Sequence, residues 1–207
     1  AVLKRKVPTG KLPLEVGVVV NNTSTAVAIY DAFHYGKPLI ERVLTLSGNG
    51  IKNPRNLRVR IGTAFSDLIE QCGGIEDEGE VEILNGGPMM GIAQSSVNVP
   101  VLKGTSGITI LSGVEVKPKK YGPCIRCASC IDACPMGLMP YRIADMGRLA
   151  ELSGFKSWSA LSCIECGCCS FVCPSKRPLV QWIRVGKVKL RQAQIEEERE
   201  KNSEQEK

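Results

Sequence analysis

One cysteine pattern, written twice, constrains this chain more than any other feature. The first copy reads Cys124-x2-Cys127-x2-Cys130-x3-Cys134-Pro135, the second Cys163-x2-Cys166-x2-Cys169-x3-Cys173-Pro174. Superposed, the copies agree at all four cysteines, at the proline, and at Ile125 and Ile164. Three thiols two residues apart suit a tight loop around one face of a polynuclear metal group, where backbone N–H groups can point at the sulfurs. The fourth thiol must come from elsewhere, and the proline after it steers the chain away without wasting an N–H. Structural zinc prefers ligand pairs separated by a longer spacer. Disulfides belong to secreted chains, and no signal peptide is visible.

This is the spacing by which bacterial ferredoxins hold [4Fe–4S] clusters, the fourth cysteine of one copy serving the other copy's cluster. The expected ligand sets are therefore crossed. Cluster 1 takes Cys124, Cys127, Cys130 and Cys173; cluster 2 takes Cys163, Cys166, Cys169 and Cys134. Cys168, beside Cys169, reads as a bystander, since using it as the ligand would break the match with the first copy; ligand swapping is the alternative. Cys72 reads as a small buried hydrophobe. His34, the only histidine, is far in sequence from the cysteines and reads as a surface or packing residue rather than a ligand.

At 207 residues the chain has room for one large or two small domains. Its formal charge of +6 suits an acidic protein partner and is too diffuse to argue for nucleic acid. No apolar run approaches a membrane span, and thiolates with oxygen-sensitive clusters require a reducing compartment. The chain opens at Ala1, without a methionine and in mid-pattern, as a fragment of something longer would.

Four segments are expected. Residues 1–38, with a short strand at 16–20 and a helix at 26–35 capped by the Asn21-Asn22-Thr23 oxygens, read as the tail of an upstream domain. Residues 39–115 read as a β-grasp domain. Strands fall at 39–46, 57–61, 81–84 and 107–111, and Thr63 caps a helix whose apolar side carries Phe65, Leu68, Ile69 and Cys72. Arg58 and Arg60 make a basic outer face, more a solvated strand surface than a binding patch. Asn85-Gly86-Gly87-Pro88-Met89-Met90-Gly91 lacks the Lys-Ser/Thr of a phosphate loop and reads as a packing or contact loop, with ligand contact the alternative. Residues 116–190 form the α-helical two-cluster domain. It opens with a basic connector at 116–120, either solvated or a docking edge for an acidic electron carrier. One helix starts at Pro140 and ends at Gly154; another opens at Pro178 and is interrupted or ended at Gly186. Residues 191–207 read as a charged, disordered tail or frayed helix. The fold class is α+β.

With these residues in view the chain resembles the C subunit of Rnf electron transport complexes. The resemblance covers nearly the whole chain. It is carried by Val19-Val20-Asn21-Asn22, Gly36-Lys37-Pro38-Leu39-Ile40-Glu41-Arg42-Val43, Asn56-Leu57-Arg58-Val59-Arg60-Ile61-Gly62-Thr63, the Asn85–Gly91 motif, Gly104-Thr105-Ser106-Gly107 and both cysteine motifs. It implies that 39–115 include a soluble-ligand-binding β-grasp (SLBB, ubiquitin-like) domain, and that FMN and NADH bind in an upstream domain absent here. It also implies a subunit of a membrane-bound, ion-translocating ferredoxin:NAD oxidoreductase, peripheral on the cytoplasmic side of the bacterial inner membrane. Its partners would be the other Rnf subunits and a ferredoxin-type carrier. In this reading the eight cysteines relay single electrons, and no residue of this chain acts as acid, base or nucleophile. The rival readings are a cobalamin reductase of related architecture and a zinc-stabilised interaction module without redox work.

Overall fold

The computed structural model describes residues 3–76, 79–113, 116 and 120–205. Two compact units emerge: Val19–Pro118, and Ala1–Val18 together with Lys119–Lys207. Apart from Val116 and Lys120, the basic connector expected at 116–120 lies outside the described residues.

The first unit begins with helix α1, Thr23–Tyr35, where Asn22 Oδ1 accepts the Ser24 N–H at 2.9 Å and Gly36 closes the helix in the left-handed region at φ 62°. Strands β1 (Glu41–Ser47) and β2 (Arg55–Arg60) pair antiparallel, with Leu44 opposite Leu57. Helix α2 (Phe65–Gln71) follows, then β3 (Val81–Asn85), β4 (Ile92–Gln94) and β5 (Gly107–Ser112). The sheet order is β2-β1-β5-β3-β4, with β1 and β5 parallel and every other pair antiparallel. That is a β-grasp sheet. Its core joins alternate residues of β1 and β2 (Leu44, Leu46, Leu57, Val59) to Phe65, Leu68 and Ile69 of α2, with Cys72 fully buried among them. Burying each large apolar side chain contributes roughly 1.5–3 kcal/mol. Asn49 in the β1–β2 turn replaces a strand partner: its Nδ2 donates to Ser112 O at 3.1 Å and its Oδ1 accepts the Ser112 N–H at 3.0 Å.

Several local expectations change. No strand forms at 16–20. Pro13–Val16 is a single 3-10 turn ended by Gly17 at φ 68°, and Val19 and Val20 are more than two-thirds exposed. β-propensity there finds no neighbouring edge to pair with. Thr63 does not cap α2; Ala64 occupies that position, and the first helical N–H groups of Phe65 and Ser66 donate to the carbonyls of Val99 and Val97. Strand β4, unforeseen, pairs with β3 beyond the glycine loop, where a Cβ on Gly91 would sit 2.5 Å from Gly87 O.

The second unit is helical: α3 (Ser129–Asp132), α4 (Pro140–Leu149), α5 (Leu152–Ser157), α6 (Cys168–Phe171) and α7 (Leu179–Gln205). Ile143 and Ala144 of α4 pack with Phe155 of α5 and with Leu179, Ile183 and Leu190 of α7. Helix α4 stops at Ala150, left-handed at φ 60°, and not at Gly154. Nor does Gly186 interrupt α7. It sits inside the helix at the crossing with α4, where an added Cβ would lie 2.7 Å from Gly147 Cα.

The first 18 residues group with the cysteine unit and α1 with the sheet. Having no core of its own, the opening segment leans on the turn before Cys163, where the Ser162 hydroxyl donates to Thr9 Oγ1 at 3.4 Å. Residues from 191 to Gln205, expected as a disordered tail or frayed helix, continue α7. Glu197 and Lys201 stand at i,i+4 on that exposed stretch, a spacing that supports helix.

Candidate metal centres

The two cysteine copies fold into the same loop. Positions two and four after the first cysteine are left-handed in both: Arg126 (φ 55°) and Ala128 (φ 64°), then Glu165 (φ 57°) and Gly167 (φ 86°). Such a conformation costs a residue with a side chain about 1–3 kcal/mol, and three of these four have one. Left-handed residues in a turn curl the chain so that successive N–H groups face one concavity. Glu165 N–H reaches Cys163 Sγ at 3.4 Å, and Leu138 N–H reaches Cys134 Sγ at 3.4 Å. The third cysteine of each copy, Cys130 or Cys169, then rides a four-residue helix, α3 or α6.

Two cavities open beside these loops. One is lined by Cys124, Cys127, Cys130 and Cys173, with Ile125, Tyr141, Arg177 and Leu179 among its other walls. The other is lined by Cys163, Cys166, Cys169 and Cys134, with Ile164, Leu138, Ile143, Val180 and Ile183. Each therefore gathers three thiols of one copy and the fourth thiol of the other. Cys168 lines neither and lies beside Cys166. His34 packs against Tyr30 in the sheet unit, ring centroids 4.2 Å apart, and Cys72 belongs to the β-grasp core.

Among the described residues no group of three or more His, Cys, Asp or Glu converges on a single ion. The thiols are instead spread around each lining, four soft donors on otherwise mostly apolar walls. Such a donor set fits a polynuclear iron–sulfur group. Burial pushes the Cys169 thiol up to about 12, and also raises Cys163 and Cys130, while the Ser129 hydroxyl, 3.4 Å from Cys127, holds that thiol below its ordinary range. The buried thiols are therefore protonated when no metal is bound, and loading must expel those protons.

Charged residues brace the cavities unequally. Lys187 donates to Cys163 O at 2.6 Å and pairs with Glu165 at 2.7 Å, and Arg184 meets the same carboxylate at 3.0 Å. These pairs tie the second cysteine loop to α7, yet none of them lines its cavity. Arg177 does line the first. Its Nη2 donates to Asp145 Oδ1 at 2.6 Å, and the guanidinium lies 4.9 Å from the Trp182 ring centre. Burial disfavours the charge on Arg177, and Asp145, with a smaller contribution from Cys124, more than offsets that. Sequence reasoning missed Arg177, although superposing the repeats exposes it. It stands four residues after Cys173, where Leu138 stands four after Cys134.

Fold and site together define an SLBB-type polypeptide followed by a doubled four-cysteine module; the SLBB domain family matches residues 43–93. Relatives of the chain are the C subunits of ion-translocating complexes. It is 46% identical over 190 residues to the C subunit of the proton-translocating ferredoxin:NAD(+) oxidoreductase complex of Clostridium ljungdahlii, covering 91% of this chain and 41% of that protein. It is 44% identical over 187 residues to the Na(+)-translocating counterpart of Acetobacterium woodii, covering 90% and 42%. To the C subunit of the ion-translocating oxidoreductase complex of Rhodobacter capsulatus it is 41% identical over 190 residues, covering 92% and 36%. The chain belongs to the family of these Rnf C subunits and spans about two fifths of their length.

Proposed function

We propose that each cavity holds one [4Fe–4S] cluster on crossed ligands, Cys124, Cys127, Cys130 and Cys173 for the first, Cys163, Cys166, Cys169 and Cys134 for the second. The observation that carries this reading is the exchange of fourth thiols between the two cavity linings. Such clusters supply one-electron exchange. The chain's own residues do the rest. Eight thiols hold the groups in place, backbone N–H groups of the left-handed turns neutralise charge on sulfur, and Ile143, Leu179, Val180 and Ile183 keep water from the inner faces.

In this reading residues 39–115 contain the SLBB domain and 116–190 the ferredoxin-type domain. The protein to which they belong is the C subunit of a ferredoxin:NAD oxidoreductase that couples electron transfer to ion translocation. The chain relays single electrons between a flavin and NADH site, in the part of the relatives that it does not span, and the other Rnf subunits or a ferredoxin-type carrier. It sits peripherally on the cytoplasmic side of the bacterial inner membrane. No helix among the described residues is long and apolar enough to cross a membrane. Anaerobically prepared chain is expected to carry about eight iron atoms, two four-iron clusters by the ligand count, and to show a broad visible absorption that dithionite bleaches. Stoichiometric zinc with little iron would overturn the reading.

A further inference from the structure

The two cavities are built from a repeat, so their differences are informative. At the position four residues after the fourth cysteine, the second cavity receives Leu138 and the first receives Arg177. Arg177 is only 7% exposed, and Nη1 of its guanidinium is buried without a hydrogen-bond partner. A buried cationic N–H left unused is costly unless an acceptor completes it. The cavity that Arg177 lines contains four thiols. Asp145 fixes the guanidinium through Nη2, and Trp182 lies against it, so its direction is set from two sides.

We propose that Arg177 raises the electron affinity of the centre held by Cys124, Cys127, Cys130 and Cys173 above that of its partner, by offering Nη1 to the sulfur framework. This rests on the two-cluster reading above. Reduction brings one electron from a one-electron donor of the ferredoxin class, breaks no bond and adds one negative charge to the centre. A fixed guanidinium at the wall favours that added charge, and donors to sulfur raise cluster potentials. Charge-assisted hydrogen bonds are roughly twice as strong as neutral ones. Among the described residues the second centre has no charged side chain in its lining; Lys187 and Arg184 are drawn to Glu165 outside it. Arg126, the other cation lining the first cavity, is exposed and screened. Electrons entering the pair therefore settle on the first centre.

The test uses the whole chain, loaded anaerobically, with iron and sulfide assayed and both midpoint potentials followed by paramagnetic resonance. Cys166→Ser, which strips a ligand from the second centre, identifies the signal of the first. In the unsubstituted chain the first centre is expected to have the higher potential. Arg177→Leu, which copies the residue found at position 138, is expected to shift the first centre's reduced-to-oxidised ratio at least about tenfold, or about 59 mV for one electron, without moving the second. Arg177→Lys, keeping charge but not the fork, is expected to fall between. The inference is overturned if Arg177→Leu carries full iron and both potentials stay put. It is equally overturned if the unsubstituted chain shows the first centre with the lower potential, which decides the matter even where Arg177→Leu fails to load. A chain that never takes up about eight iron atoms refutes the two-cluster reading instead, before any arginine variant is made.

Discussion

A single methyl group added where α4 crosses α7 tests how tightly the cysteine unit is built. A Cβ on Gly147 would stand 2.5 Å from the Trp182 carbonyl oxygen and 3.1 Å from Phe155 Cε2. One on Gly186 would stand 2.6 Å from Phe155 Cε2 and 2.7 Å from Gly147 Cα. Both glycines are helical, so alanine brings a propensity gain of about 1 kcal/mol. Against it stands overpacking, typically ~1–3 kcal/mol and occasionally more. Here the obstacles are backbone atoms and the ring of Phe155, which is 0% exposed and has nowhere to go. The clash outweighs the propensity. Gly147→Ala and Gly186→Ala are each expected to lose about 1–2 kcal/mol net. They should also shed iron faster, because α7 supplies Leu179 to one cavity wall and Val180 and Ile183 to the other. Gly154→Ala is the control, since its Cβ would meet only the flexible ends of Glu151 and Met146. Anaerobic denaturant titrations, followed by far-ultraviolet circular dichroism and by visible absorbance, read both quantities. If Gly147→Ala and Gly186→Ala prove as stable as Gly154→Ala, the close crossing does not constrain this unit and the reasoning fails.

Crossed ligation makes an opposite-copy prediction. Cys134→Ser should damage the centre of Cys163, Cys166 and Cys169, and Cys173→Ser that of Cys124, Cys127 and Cys130, while Cys168→Ser leaves both resonance signals intact; damage confined to the substituted copy refutes it. Asn49→Ala removes both bonds to Ser112 and leaves part-buried groups unpaired, with an expected loss of about 1–3 kcal/mol in the unfolding free energy of the sheet unit. Ala150→Gly relieves the left-handed end of α4 at φ 60° and should raise stability by about 0.5–1 kcal/mol, measured by the same titrations. An Ala150→Gly variant less stable than the original would show that the αL end carries no strain.

Much of this protein is written locally, and those parts were legible. Thiol spacing gathers four soft donors within eleven residues of each copy, alternation on β1 and β2 marks their buried sides, and Pro140 opens α4 where helix N-termini accept proline. The apolar spacing of Phe65, Leu68, Ile69 and Cys72 likewise marked the inner face of α2. What escaped depends on partners distant in sequence. Residues 16–20 have strand composition but no edge to join, and the α2 N-terminus is satisfied by Val97 and Val99 rather than by its neighbour Thr63. Gly186, locally a helix breaker, stays helical because closeness to Gly147 and Phe155 repays its lost propensity. The crossed partition of thiols could be expected by analogy, but which thiols line which cavity is decided by how α4 and α7 hold the two copies. Arg177 was least visible of all: in sequence it is one cation among 27, marked only by standing where the other copy has Leu138, and its burial beside four thiols, with Nη1 left without a partner, is decided by the fold. Spacing along a chain specifies what can bind, whereas the field around a bound charge is summed over groups that only folding brings near.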